Sequence, residues 1–347
     1  MISSRTTLVL GAGASMPYGF PSGAELREQL CSIENLSPLL DEFPFDKHDI
    51  KTFCREFHHS GLESIDAFLA RRGESKVYPS GPTFSDIGKA GIALLLIKCE
   101  RHKNLFRFGN EDPWYQYLWR YVVNSLDGLQ EKKLTIITFN YDRSLECYLL
   151  TTMQSATGVT LEEAAARVRE INIIHVYGRL GALKGLESED EASREYLPVT
   201  KAENIRIAAA GIKVMAESHE DSATFSAAKD ALRISDRVCF LGFGFDSLNT
   251  QRLGIEQSLA SAYRDKAFRG PFLYSTTLGM KDAERASVIE LLSPKTTSLD
   301  SSDRGLPHYL EKIRMKVARD ISAYPNEKNM NYLRHVGILN EGNNVGF

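Results

Sequence analysis

A doubly wound parallel α/β sheet, interrupted by an all-helical insertion, is the architecture that these 347 residues predict. Three observations point to it. Short apolar runs rich in β-branched residues recur along the chain: TTLVL at 6–10, LTIITF at 134–139, INIIHV at 171–176, VCFL at 238–241 and FLYS at 272–275. Each is apolar on both faces or nearly so, as a strand buried within a parallel sheet must be. Stretches with apolar residues at helical spacing lie between them, and such alternation is the signature of a doubly wound sheet. The gap from 25 to 133 is too long for one crossover.

The elements follow in order. The first strand runs straight into a glycine turn. Helical patterns then cover 24–31, 62–71, 84–102 and 114–126, punctuated by Pro44, Pro79, Pro82 and Pro113. This predicts an inserted helical subdomain over 25–133, with the sheet domain on 1–24 and 134–322. Asp142 is placed to cap a helix over 143–150. The polar, acidic stretch 183–195 reads as a solvated loop, and a surface helix starts near Lys201 and Glu203. Helical spacing returns over 249–263, 281–292 and 308–319. The tail 323–347 is rich in Asn and Gly, which predicts loose order or packing on a partner.

Composition narrows the function. Hydrophobic residues make up 43% and charged residues 25%, as in an ordinary soluble domain. The net charge of −3 gives no global pull toward nucleic acid or an anionic membrane. The apolar run 91–97 is too short to span a bilayer, and the N-terminal apolar stretch reads as a strand, not a signal peptide. Cys31, Cys54, Cys99, Cys147 and Cys239 form no CxxC pair, which excludes a cysteine zinc ribbon. Free thiols fit a reducing cytoplasm. His58-His59 has no second ligand cluster, so no metal is expected.

Chemistry gathers at the strand ends. After the first strand, Gly11-Ala12-Gly13-Ala14-Ser15 offers a Rossmann-like turn whose amides can approach a pyrophosphate. The dehydrogenase fingerprint is broken, because Met16 stands where its third glycine belongs. The lysine-containing P-loop is absent too. The plainer alternative is a tight turn that needs small residues. The second strand ends in Thr138, Asn140 and Asp142, the third in His175, and the fourth in Gly242, Phe243, Gly244, Asp246 and Asn249. Each has a bland reading as a turn, cap or core residue. Together they describe a polar pocket for a dinucleotide beyond the C-terminal edge of the sheet. The run ESIDAFL at 63–69 reads as a helix on the core, with Asp66 free to turn toward that pocket.

These motifs resemble the sirtuins. Gly11 to Ser15 followed by Gly19-Phe20-Pro21-Ser22 looks like the sirtuin opening motif, and Asn140-Tyr141-Asp142 resembles its Asn-hydrophobic-Asp motif. His175 to Gly178 resembles the His-Gly segment with Val176 and Tyr177 inserted, and Leu241 to Phe245 the later glycine segment. The order matches over about the first 250 residues, the insertion aside. Two departures matter. No cysteine lies between Cys147 and Cys239, where deacylases carry a four-cysteine zinc module, and Thr138-Phe139 precedes Asn140 where they have Gln. The pattern is similar to the sirtuin-like domains of bacterial antiphage systems.

That resemblance implies hydrolysis of NAD, as substrate and without metal, to nicotinamide and ADP-ribose. Asn140 would hold ribose hydroxyls or the attacking water, and His175 would accept a proton. Asp142 would bind the nicotinamide carboxamide. Gly11, Ala12, Gly13, Ala14 and Ser15 would hold the pyrophosphate, with Phe20, Pro21 and Thr138 beside them. Gly242, Phe243, Gly244 and Asn249 would take the adenosine side. An off-state is implied, through homo-oligomerisation, the inserted helices, or a separately encoded sensor or helicase-like ATPase. Two alternatives stay open: a zinc-less NAD-dependent deacylase, and a non-catalytic module that binds NAD or ADP-ribose.

Overall fold

A computed structural model describes residues 4–126, 133–187, 192–214, 223–265, 271–293 and most of 311–336. Its centre is a five-stranded parallel sheet. The strands are β1 (Thr6–Leu10), β2 (Leu134–Thr138), β3 (Asn172–His175), β6 (Arg237–Leu241) and β7 (Phe272–Ser275), in the order β3-β2-β1-β6-β7. Two further strands, β4 (Ala182–Leu183) and β5 (Ser193–Arg194), form a small parallel pair. β1 and β6 are buried almost throughout, as their apolar runs Leu8–Leu10 and Val238–Leu241 require. Register aligns the C-terminal ends: Leu10 lies opposite both Thr138 and Leu241, and Thr138 opposite His175. The chain moves outward from β1 to β3, then returns to the other side of β1. The switch point, where doubly wound sheets bind ligands, therefore falls between β1 and β6.

The helical insertion carries strong start signals. Ser22 with Glu25, Asp46 with Asp49, and Thr83 with Asp86 each form a reciprocal capping box. The helix Phe84–Ile97 is buried nearly all round and forms the spine of the insertion. Phe53, Phe57, Phe68 and Phe84 pack ring on ring beside it. One continuous core joins the insertion to the sheet.

Several elements add detail to the sequence reading. The helix Trp114–Leu126 starts against the turn after β1: Trp114 Nε1 donates to the Ala14 carbonyl at 2.8 Å, and Tyr115 stacks on Tyr18 at 3.7 Å. The expected single helix over 249–263 is two, Ser247–Arg252 and Ile255–Asp265, broken at Gly254 with φ +56°. The tail also holds structure, since the helix Asn329–Val336 buries Tyr332 and Leu333, and Tyr332 Oη accepts the Ser275 amide at 2.8 Å. Half of the expected helix 308–319, residues 188–191 of the acidic loop, and 337–347 lie outside the described residues; the described residues of 308–319 are helical. Among the described residues, no helix is long and apolar enough to cross a membrane.

Candidate active site

At the switch point, two glycine turns meet backbone to backbone. The Gly11 amide donates to the Leu241 carbonyl and the Gly13 amide to the Gly242 carbonyl, both at 3.0 Å. A Cβ on Gly11 would stand 2.5 Å from the Gly242 oxygen, and one on Gly242 would stand 2.3 Å from the Ala14 nitrogen. Gly242 also holds φ +55°. Glycine is needed at both places because no side chain fits between the turns. This revises the expected pyrophosphate cradle. The amides of Gly11, Gly13, Ala14 and Ser15 already donate to backbone carbonyls, because the turn coils into a 3-10 turn over Ala12–Ala14 and pairs with its neighbour.

The turn after β6 is more open. The Gly242 amide donates to Thr276 Oγ1 at 2.8 Å, and a Cβ on Gly244 would meet nothing within 4 Å. Phe245 holds φ +53°, a conformation that costs a bulky residue about 1–3 kcal/mol and tends to mark functional loops. Both residues border a cavity of about 1070 Å³, which also touches Gly13, Met16, Thr250, Thr276 and Leu278. That volume suits a dinucleotide-sized ligand.

The far wall of this cavity comes from two loops that carry no motif. Asn104, Arg107 and Asn110 to Asp112 supply one part, and Glu327 to Asn329 the other. Asp112 joins them. Its Oδ2 accepts the Asn329 amide at 3.0 Å and Nδ2 at 2.8 Å, and its Oδ1 accepts the Met330 amide at 2.6 Å. Asn329 Nδ2 also lies 3.3 Å from the Gly13 carbonyl. Burial lifts the Asp112 carboxyl above the ordinary aspartate range, although these donors pull it back. Lys328 pairs with Glu111 nearby.

On the other side of β1, polar side chains replace backbone. Asn140 Nδ2 donates to the Gly11 carbonyl at 2.9 Å and to Ser15 Oγ at 3.0 Å. Its backbone amide donates to Thr138 Oγ1 at 3.0 Å. Ser15 Oγ donates in turn to Asp142 Oδ2 at 2.7 Å. Asp142 Oδ1 accepts the Ser144 amide at 3.0 Å and the Ser144 hydroxyl. With both amide hydrogens placed, Asn140 Oδ1 is the acceptor left for a bound hydroxyl or water. Asp142 is buried just ahead of the helix Ser144–Thr157, whose first amide it accepts, and burial pushes its carboxyl up despite the donors. Both its oxygens already accept hydrogen bonds within the protein, where the resemblance implied a carboxylate open to the nicotinamide carboxamide.

His175 sits behind this network. Its Nε2 lies 2.5 Å from Glu146 Oε1, and its Nδ1 lies 3.1 Å from the Asn140 carbonyl oxygen. The Asn140 carbonyl can only accept, so Nδ1 carries hydrogen, and Nε2 is engaged by the Glu146 carboxyl. Burial works against the charged ring, but Glu146 more than offsets it and holds His175 above the ordinary histidine range. Burial likewise works against the Glu146 carboxylate, and His175 holds it below the ordinary range. With both ring nitrogens engaged inside the protein, His175 backs Asn140 from behind, where the resemblance implied a base facing substrate. Glu146 escaped the sequence reading, although it ends the same TFNYDRSLE run on the first turn of the following helix.

This wall is anchored by buried charge. Glu100 takes Arg143 Nη2 at 3.0 Å and Arg194 Nη1 at 2.6 Å, with all three side chains almost fully buried. Arg143 Nη1 also donates to the Ala182 carbonyl at 2.6 Å, tying β4 beneath the site.

The structure thus brings together Gly11, Gly13, Ser15, Asn140, Asp142 and, behind them, His175. Gly242, Phe243 and Gly244 line the cavity with Gly13. Thr138 is buried and only orients Asn140, while Ala14 uses its carbonyl on Trp114. Of the expected site residues only Gly13, Gly242, Phe243 and Gly244 line the cavity; Gly11, Ala12, Ala14, Ser15, Phe20, Pro21, Thr138, Asn140, Asp142, His175 and Asn249 are not among its lining residues. Asn249 instead accepts the Tyr177 hydroxyl at 2.7 Å. Among the described residues, no group of His, Cys, Asp and Glu is arranged to hold a metal. No protein-family model matches the chain, and no curated protein matches it.

Proposed function

We propose that this chain hydrolyses the N-glycosidic bond of NAD, giving nicotinamide and ADP-ribose. The observation that carries the reading is Asn140. Its amide stands at the junction of the glycine turns, fixed by the Gly11 carbonyl and Ser15 and backed by the His175–Glu146 pair. The cavity at the switch point has room for a dinucleotide.

The chemistry asks little of a base at first. The bond between ribose C1 and the pyridinium nitrogen breaks, and its electron pair neutralises the departing ring. Positive charge builds on the sugar. A rigid acceptor such as Asn140 Oδ1, placed before the reaction, stabilises a hydroxyl or water at that charge with no reorganisation. Water then bonds to C1 and gives its proton to solvent. The resemblance to sirtuin-like defence domains supports a role as an effector of abortive infection, controlled by self-association or by a sensor or ATPase partner.

The test is nicotinamide release from NAD by the purified chain, alone, with an acylated peptide, and in lysate of infected cells. Asn140→Ala should lower peptide-independent release about 100-fold or more while ADP-ribose still binds. Release that requires the peptide would instead identify a deacylase. Binding without release in all three settings would identify a regulatory module.

A further inference from the structure

The helical insertion sends a carboxylate to the strand ends. Asp66 stands in the first turn of the helix Ile65–Arg72, where the helix dipole favours a negative charge. It accepts a hydrogen bond from the Tyr141 hydroxyl. Tyr141 is the middle residue of Asn140-Tyr141-Asp142, and its ring is buried. Two other elements converge on the same point. Asp246 from the turn after β6 and Arg252 from the helix behind it both act electrostatically on Asp66 and on Tyr177. Tyr177 packs edge-on against Phe139 at 5.6 Å, and Phe139 lies 5.0 Å from Phe243 of the cavity wall. The cluster therefore adjoins the candidate site on the side where Asn140 stands.

Burial raises the Asp66 carboxyl above the ordinary aspartate range, and Tyr141 and Arg252 pull it back toward the charged form. Asp246 is already met by the Leu248 and Asn249 amides at the start of its helix. Asp66 has the Tyr141 hydroxyl, and a neutral acceptor would hold that hydroxyl at lower cost. A reaction that creates positive charge next to Asn140 would use the Asp66 charge.

We propose that Asp66 is a positioning residue of the reaction centre. Acting through Tyr141, it fixes the Asn140-Tyr141-Asp142 segment, and its charge favours the ribose cation that forms as nicotinamide leaves. This rests on the NAD-hydrolysis reading. The insertion then completes the reaction centre as well as packing against the sheet.

Asp66→Asn separates the two roles, since the amide still accepts from Tyr141 but carries no charge. Purified full-length variants would be compared for nicotinamide release, ADP-ribose affinity and melting temperature. Asp66→Asn should lower kcat about 30-fold, with KM and ADP-ribose affinity within about threefold of wild type. Asp66→Glu should recover part of that loss. Tyr141→Phe, which removes one hydroxyl, should lower kcat with KM kept, and it answers the question if Asp66→Asn fails to fold. A kcat within about threefold of wild type for Asp66→Asn overturns the proposal. So do parallel losses of kcat and ADP-ribose affinity, which mark a purely structural role. Wild-type protein that binds ADP-ribose but releases no nicotinamide overturns the parent reading, and this proposal with it.

Discussion

The two flanks of β1 finish the same sheet edge in different ways. Toward β6, backbone meets backbone: Gly11 and Gly13 press on Gly242, and an open cavity lies beyond. Toward β2 and β3, side chain meets side chain: Ser15, Asn140, Asp142, Glu146 and His175 form a closed network. The first flank makes room for a ligand by removing side chains. The second fixes one amide by surrounding it with partners. A binding surface tolerates openness, whereas a group that must meet a reacting atom needs its orientation determined from several sides.

Substitutions can break that contrast. The largest loss is expected at Glu100→Ala, which leaves the buried Arg143 and Arg194 without their shared carboxylate. Breaking such a buried pair costs about 3–5 kcal/mol, measurable by urea denaturation. A loss under about 1 kcal/mol would mean that the side-chain flank does not depend on this anchor.

On the backbone flank, Gly242→Ala forces a Cβ against the Ala14 nitrogen at a positive φ. It should cost about 2–3 kcal/mol and abolish ADP-ribose binding. Gly244→Ala enters open space two residues later and should stay within about 0.5 kcal/mol. Equal costs at the two positions would show that the contact between turns is not what requires glycine.

The smallest effect depends on pH. The raised His175 stabilises the fold fully below its unfolded value of about 6.5, and that stabilisation fades as pH rises through the folded value. The lowered Glu146 stabilises above its own unfolded value and fades as pH falls through the folded one. The stability gap between wild type and His175→Gln should therefore narrow as pH rises above about 6.5 through the folded value, read by urea denaturation across a pH series. A gap that does not change with pH would mean that the ring is neutral and open to a role as base.

Much of the site could be read before the fold was known. Gly11, Gly13 and Gly242 follow apolar strands directly, and a glycine just after a buried strand is a local signal. Asn140 stood out because an amide closed an apolar run. The meaning of its neighbours was not legible. By residue type Asp142 reads as a cap or a ligand reader, and nothing local points to Ser15, 127 residues away, as its partner. By residue type His175 reads as a core residue or a base, and nothing local points to Glu146, 29 residues away, on its Nε2.

Strand and helix periods, capping pairs and glycine turns are short-range features, set by steric and hydrogen-bonding rules within a few residues. On those the sequence by itself determined the parallel sheet, the helical insertion and the edge where the polar residues gather. Tertiary structure alone decided which groups pair. It set Asp112 against Asn329 across 217 residues and Asp66 against Tyr141 across 75. A lone polar residue in a loop has no periodicity, and its partner is chosen by how the layers pack. That packing decides whether a carboxylate becomes a cap, a latch or a charge beside the reaction.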